Sequence, residues 1–192
     1  MGLYSLFAVI LDYPERPIAE YVSDCMEELA PEFGEAEAHL RKFQVALEGS
    51  SLGQLQEVYT SAFDLRPDCT PNLGYHLFGD DGRRGLFLAE LKGRMAARGI
   101  PPGAELPDHL TLVLRYLDAS EEEERLVMIE DCLLPAAGRI VEVFGRSENP
   151  YGHAMRALLS LIRQQHEASG AFAAEEESPV APEPVSAFQI LE

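Results

Sequence analysis

The sequence predicts an all-α fold, a single-domain bundle of about seven to nine helices followed by an acidic tail. Three observations carry this reading. Apolar residues recur at spacings of three and four in nearly every segment before residue 168, the period of one helix face. No window shows the β-branched alternation of a strand. From about residue 169 the composition turns to Ala, Glu, Pro and Ser, which bury too little apolar surface to fold, so a disordered tail over 169–192 is expected beside a helical domain over 1–168.

Each helix can be justified in turn. Leu3, Leu6, Phe7, Ile10 and Leu11 form a first apolar stripe, halted by Asp12, Tyr13 and Pro14. Pro17 can open a second, with Ile18, Tyr21, Val22, Cys25, Met26 and Leu29 on one face. A third runs over 35–48 on Leu40, Phe43 and Leu47 to a stop at Gly49. Ser51 with Gln54 is a capping-box pattern for a fourth, whose face is Leu52, Leu55, Val58, Tyr59 and Ala62. Pro67 and Pro71 break the chain before a short helical piece over 73–78 and a turn at 79–82. A helix over 83–98 would turn Leu86, Ala89, Leu91 and Met95 inward. Another is expected over 106–117, with Asp108 near its N-terminus. Ser120 with Glu123 suggests a second capping box, and Pro135 should kink or split the apolar run over 126–144. Asn149 and Pro150 form a cap and first turn for the last helix, over 151–167.

Charge and composition narrow the function classes. Thirty-three acids face fifteen bases, a net −18; five of the acids lie beyond residue 174 among no bases, so the rest of the chain still carries −13. Such a chain repels nucleic-acid phosphate and anionic lipid and favours basic partners. No apolar run approaches the roughly 20 residues that span a bilayer. The longest, over 6–11, lacks the basic flank and small-residue cleavage site of a signal peptide, so a cytoplasmic location is expected. Cys25, Cys69 and Cys132 form no C-x-x-C pair, which leaves buried, inert thiols as the simplest reading.

The unusual chemistry sits between residues 59 and 85 and again at 106–110, where aromatic, acidic and basic residues mix with Gly and Pro. Asp108 and His109 are neighbours on one helix or loop and point about 100° apart, so they cannot form a catalytic dyad with each other. The five histidines show no H-x-x-x-H or H-E-x-x-H spacing, and neither a metal site nor a bound cofactor is expected. Gly-Asp-Asp-Gly at 79–82 is a poor anion nest because two adjacent carboxylates repel an anion. Asp80 or Asp81 can cap the following helix instead, with one arginine held by carboxylates from neighbouring helices, either as a structural pin or in contact with a ligand. Tyr59, Phe63, Tyr75 and Phe78 are helically spaced; they are either core or the floor of a groove rimmed by Asp64, Asp80 and Asp81 that would suit a basic, apolar peptide.

Four motifs, taken together, carry a family resemblance. They are L-D-Y-P-E-R-P at 11–17, F-D-L-R-P-D-C at 63–69, L-x-x-H-x-x-G-D-x-x-R-R-G at 73–85 and E-L-P-D-H-L at 105–110. In order and spacing, over about residues 3–165, they resemble the nitrate reductase delta-subunit (NarJ) family of molybdenum-cofactor assembly chaperones. Pro67, Pro71, Asn72 and the Asp81-Gly82 pair depart from that pattern. The resemblance implies a non-catalytic, all-helical cytoplasmic chaperone. Its partner would be the N-terminal segment of the nitrate reductase catalytic (alpha) subunit, with molybdenum-cofactor biosynthesis proteins as further contacts. It would hold that subunit open for cofactor insertion before membrane attachment. Tyr59, Phe63, Asp64, Tyr75, Asp80, Arg84, Asp108 and His109 are the expected peptide-binding or site-organising residues, Arg84 and Asp108 in the organising role. Chaperoning another molybdoenzyme of the same superfamily, or permanent membership of a membrane oxidoreductase, are the alternatives.

Overall fold

The computed structural model describes residues 1–101 and 103–168; the acidic tail expected over 169–192 lies outside them. The described residues form ten α-helices and no strand: α1 (Leu3–Ile10), α2 (Ala19–Leu29), α3 (Gly34–Ala46), α4 (Leu52–Phe63), α5 (Leu73–Phe78), α6 (Arg83–Ala97), α7 (Leu110–Ala119), α8 (Glu122–Met128), α9 (Leu134–Phe144) and α10 (Tyr151–Ala168). A 3-10 turn at Pro67–Cys69 follows α4, and a π-helical turn at Ile129–Leu133 joins α8 to α9. Counted as one rod, α8, the π turn and α9 bring the total to nine.

α10 is the longest helix, and α3 and α9 pack along it. α1 packs on α7 and α2, and α2 on α3, so one core runs through the bundle. α5 lies against α6 and α9, and the 3-10 turn also reaches α9. The expected faces of α1 to α4 are the buried ones, from Phe7 and Ile10 through Val22, Cys25 and Leu29 to Phe43, Leu55 and Tyr59. The three cysteines are buried, and burial pushes the Cys25 and Cys132 thiols up to about 12, which keeps them protonated and unreactive at neutral pH.

Three local expectations change. α6 buries Phe87, Leu91 and Met95, while Leu86 is 57 % exposed and Ala89 faces solvent. Arg84 lies three residues before Phe87 on the same face, so its buried ion pair sets the rotation of the helix. α7 begins four residues later than its pattern suggests, because the backbone at 108–110 pairs with another segment. The second capping box, Ser120 with Glu123, does not form: the Ser120 hydroxyl donates to the Tyr116 carbonyl at 2.7 Å, and α8 takes Glu121 as its N-cap with no side-chain cap bond. Pro135 sits at the second position of α9, where its missing N–H is tolerated, and the preceding π turn takes up the register change.

Ser51 and Gln54 do form the capping box of α4. At the other end of the bundle Asn149 caps α10: its Oδ1 accepts from the Tyr151 N–H at 2.9 Å, and its Nδ2 donates to Val58 O and Ser61 Oγ of α4, each at 2.9 Å. One side chain thereby ties the start of α10 to α4. Asn149→Ala is expected to lower stability by about 1–2 kcal/mol, read as a fall in urea midpoint at unchanged m-value.

Candidate functional site

The site is organised from below by Asp108, whose side chain is 0 % exposed. Its Oδ1 accepts from Asn72 Nδ2 at 3.0 Å. Its Oδ2 accepts from the Gly74 N–H at 3.1 Å and from Arg84 Nε and Nη2 at 3.2 and 3.1 Å. The main chain runs in parallel with these bonds: Leu73 N donates to Asp108 O and Leu110 N to Pro71 O, both at 2.8 Å, around a bridge between Asn72 and His109. The stretch before α5 and the stretch before α7 are therefore stitched together through backbone and side chain, and Arg84 of α6 is clamped onto the seam.

Gly74 is dictated by this arrangement. A Cβ there would lie 2.7 Å from Asp108 Oδ2 and 3.1 Å from the Phe87 ring, so no side chain fits between them. Gly79, which ends α5 at φ 61°, supplies the turn that Gly tolerates best. Asp81 then accepts from the Arg83 N–H at 2.9 Å and Nε at 3.1 Å, and these bonds, the backbone N–H foremost, hold its carboxyl below the usual range.

His109 is the N-cap of α7, a place the helix pattern assigned to the region of Asp108. Its Nδ1 accepts from the Thr111 N–H at 3.4 Å and lies 2.8 Å from Thr111 Oγ1. That leaves the proton of the neutral ring on Nε2. Burial pushes the His109 pKa down, against the opposing pull of Glu105, Asp12 and Asp108. His76 is likewise pushed down by burial, and its Nε2 donates to the Thr70 carbonyl at 2.7 Å.

Above this seam opens a cleft of about 600 Å³. Tyr59, Phe63, Asp64, Tyr75, Arg84 and His109, six of the eight residues singled out from the sequence, line it together. Asp108 lies beneath the cleft and reaches it through Asn72 and Arg84, the latter's guanidinium carbon lying 6.0 Å from the Tyr75 ring centre. Asp80 is exposed on the turn after α5 and is not part of the lining. Tyr59 and Phe63 are core residues first, 4 % and 3 % exposed. Their rings pack on each other at 4.9 Å and on Tyr151 at 5.4 and 5.3 Å, and Phe63 also meets Phe144. They offer the cleft an edge rather than a face. Tyr13, 44 % exposed, stands edge-on to Tyr59 at 5.5 Å and supplies the open aromatic surface with Tyr75.

Sequence reasoning missed Asp12, Tyr13, Thr70, Asn72 and Glu105 as lining residues. Asp12 and Tyr13 were visible only as a helix stop and within the motif at 11–17, and Glu105 only within the motif at 105–110. Asp12 pairs with Arg115 at 3.1 Å, as Arg84 does with Asp108. Asp64 and Glu105 have no ion pair among the described residues, so the rim carries uncompensated negative charge. Among the described residues no cluster of three His, Cys, Asp or Glu could hold a metal ion, and no helix is long and apolar enough to cross a membrane.

Fold and site thus define an all-α domain whose acid-rimmed, aromatic-lined cleft is built on a buried arginine–aspartate pair. A family model described as the nitrate reductase delta subunit matches residues 26–144, more than half of the chain. The chain belongs to that family, the assembly-chaperone family that its motifs resemble. All eight residues singled out above fall within the match, whereas Asp12 and Tyr13 precede it. No curated protein matches the chain.

Asp108→Ala leaves Arg84 partly buried without its carboxylate and two further donors without an acceptor. Arg84 keeps about a fifth of its side chain in water, so the expected loss is about 3 kcal/mol, the lower end for a broken buried pair. Gly74→Ala is expected to destabilise through the clash with Asp108, and denaturant titration checks both. Because the folded-state pKa values of His76 and His109 lie below the usual 6.5, the unfolded chain takes up protons first as pH falls. Their contribution is fully present above about pH 6.5 and is lost below it. The urea midpoint is expected to drop between pH 7.5 and 5.5, with a shallower drop in His109→Gln.

Proposed function

We propose that this protein is a cytoplasmic chaperone that captures the N-terminal segment of the nitrate reductase catalytic subunit in the cleft and keeps that subunit open for molybdenum-cofactor insertion before membrane attachment. The observation that carries the reading is the combination of Tyr13 and Tyr75 with the unpaired carboxylates of Asp64 and Glu105 around one opening. Aromatic surface accepts apolar anchors, and the rim charge selects Lys or Arg beside them. Membership of the nitrate reductase delta-subunit family supports the choice of partner.

The cleft is pre-organised by the Asp108 node, so the ordering entropy of binding falls on the peptide. A segment that orders as it binds gives up a few kcal/mol of interaction free energy, which keeps the complex reversible. Reversibility is what an assembly chaperone needs, since its client must leave once complete. The carboxylates at the rim stay solvated, so they speed and orient encounter more than they add affinity.

Calorimetric titration with a synthetic peptide of the catalytic subunit's first residues tests this. Asp64→Asn and Glu105→Gln are each expected to weaken binding about two- to fivefold, the range for exposed charge pairs, and raising the salt to 0.5 M to weaken the wild type similarly. Tyr75→Ala is expected to cost more, through lost aromatic burial. Unchanged affinity in the Asp64→Asn/Glu105→Gln double variant removes the cleft as the binding site.

A further inference from the structure

Between the starts of α2 and α4 and the end of α3 the bundle leaves a second opening, a groove of about 460 Å³. Ile18, Val22, Phe43 and Leu55 form its floor, each of them part of the core. Val45 and Leu47 line it too; Val45 is 64 % exposed, and Leu47 is only partly covered. Among the described residues a single charged side chain, Glu48, lines this groove. The cleft proposed for the client is lined by three carboxylates and one guanidinium, and so is the hollow beside Ala168, where Glu32, Glu122 and Glu167 meet Arg125. The groove shares no lining residue with the cleft: α4 gives Leu55 to the one, and Tyr59 and Phe63 to the other.

An apolar groove calls for an apolar occupant, and the sequence after α10 contains one. Between residues 169 and 192 the large apolar residues are Phe172, Val180, Val185, Phe188, Ile190 and Leu191, four of them within 185–191. Chain length sorts them. The Phe43 ring at the groove lies 5.1 Å from that of Tyr151, which opens α10, whereas the chain leaves α10 at Ala168. The groove is therefore about one helix length, or about 27 Å, back from that exit. Phe172, four residues after Ala168, reaches at most about 14 Å and falls short. Val185, seventeen residues on, reaches about 55–60 Å, enough for the chain to round the bundle. We infer that residues 185–191 dock in this groove of their own chain, with Val185, Phe188 and Leu191, spaced by three, turned into it. Glu183 and Glu192 bracket the segment, so the two acid-lined openings repel it and the nearly uncharged groove does not. Tethering raises the segment's effective concentration to the order of millimolar, so an apolar contact too weak to hold a free peptide suffices.

Cysteine pairs in the full-length protein test this, because the three native thiols are buried. Ala187→Cys is combined with Val45→Cys at the groove, or with Val127→Cys as the control. Val127 is 44 % exposed and follows Leu126, which lines the hollow where Ala168 itself stands, so a tether alone favours position 127. With oxidised glutathione, the 45–187 disulfide of the monomer is expected to form about tenfold faster than the 127–187 disulfide. The preference is expected to persist in 0.5 M salt, since burial of apolar surface is not screened. Adding Phe188→Ser/Leu191→Ser, which leaves the bundle untouched, is expected to bring the 45–187 rate down to the 127–187 rate or below it. Equal rates in the parent pairs, a faster 127–187 link, or a preference that survives Phe188→Ser/Leu191→Ser overturns the proposal. So does a 45–187 disulfide that forms chiefly between two molecules, since the occupant is then a second copy.

Discussion

A carboxylate with no access to water must have its charge answered on the spot, and Asp108 is answered by four donors from two neighbouring segments. Asn72 and Gly74 come from the start of α5, Arg84 from the first turn of α6, and Asp108 itself stands just ahead of α7. The stretch from the end of α4 to the start of α5 contains Pro67 and Pro71 and buries little apolar surface besides Cys69 and Pro71, so the hydrophobic effect alone would hold it loosely. The desolvated ion pair supplies direction where apolar packing supplies none. It sets the rotation of α6, delays the start of α7 and forces glycine at position 74.

What that node holds in place is an opening. Arg84 is drawn inward, which keeps its charge from cancelling the rim, while Asp64 and Glu105 remain in water. The division is physical: the buried pair gives shape, and the exposed carboxylates leave the rim negative while staying in water. The aromatic residues divide in the same way. Tyr59 and Phe63 belong mainly to a ring cluster with Phe144 and Tyr151 that joins α4, α9 and α10, and Tyr13 and Tyr75 keep surface for a partner.

Periodicity by itself determined the helical class, nearly every helix, and the buried faces of α1 to α4, because those depend on side chains a few residues apart along one segment. The mixed chemistry and motifs over 59–85 and 105–110 singled out eight residues, six of which line the cleft. Tertiary structure alone decided the rest. The exposure of Leu86, the burial of Phe87 and the choice of His109 over Asp108 as helix cap all follow from partners 24 to 36 residues away. Asp12 and Tyr13 join the site for the same reason, since α1 reaches the cleft through α7 and not through its neighbours in sequence. Local spacing reports what a helix can bury; which way an ion pair turns it depends on where the other charge comes to rest.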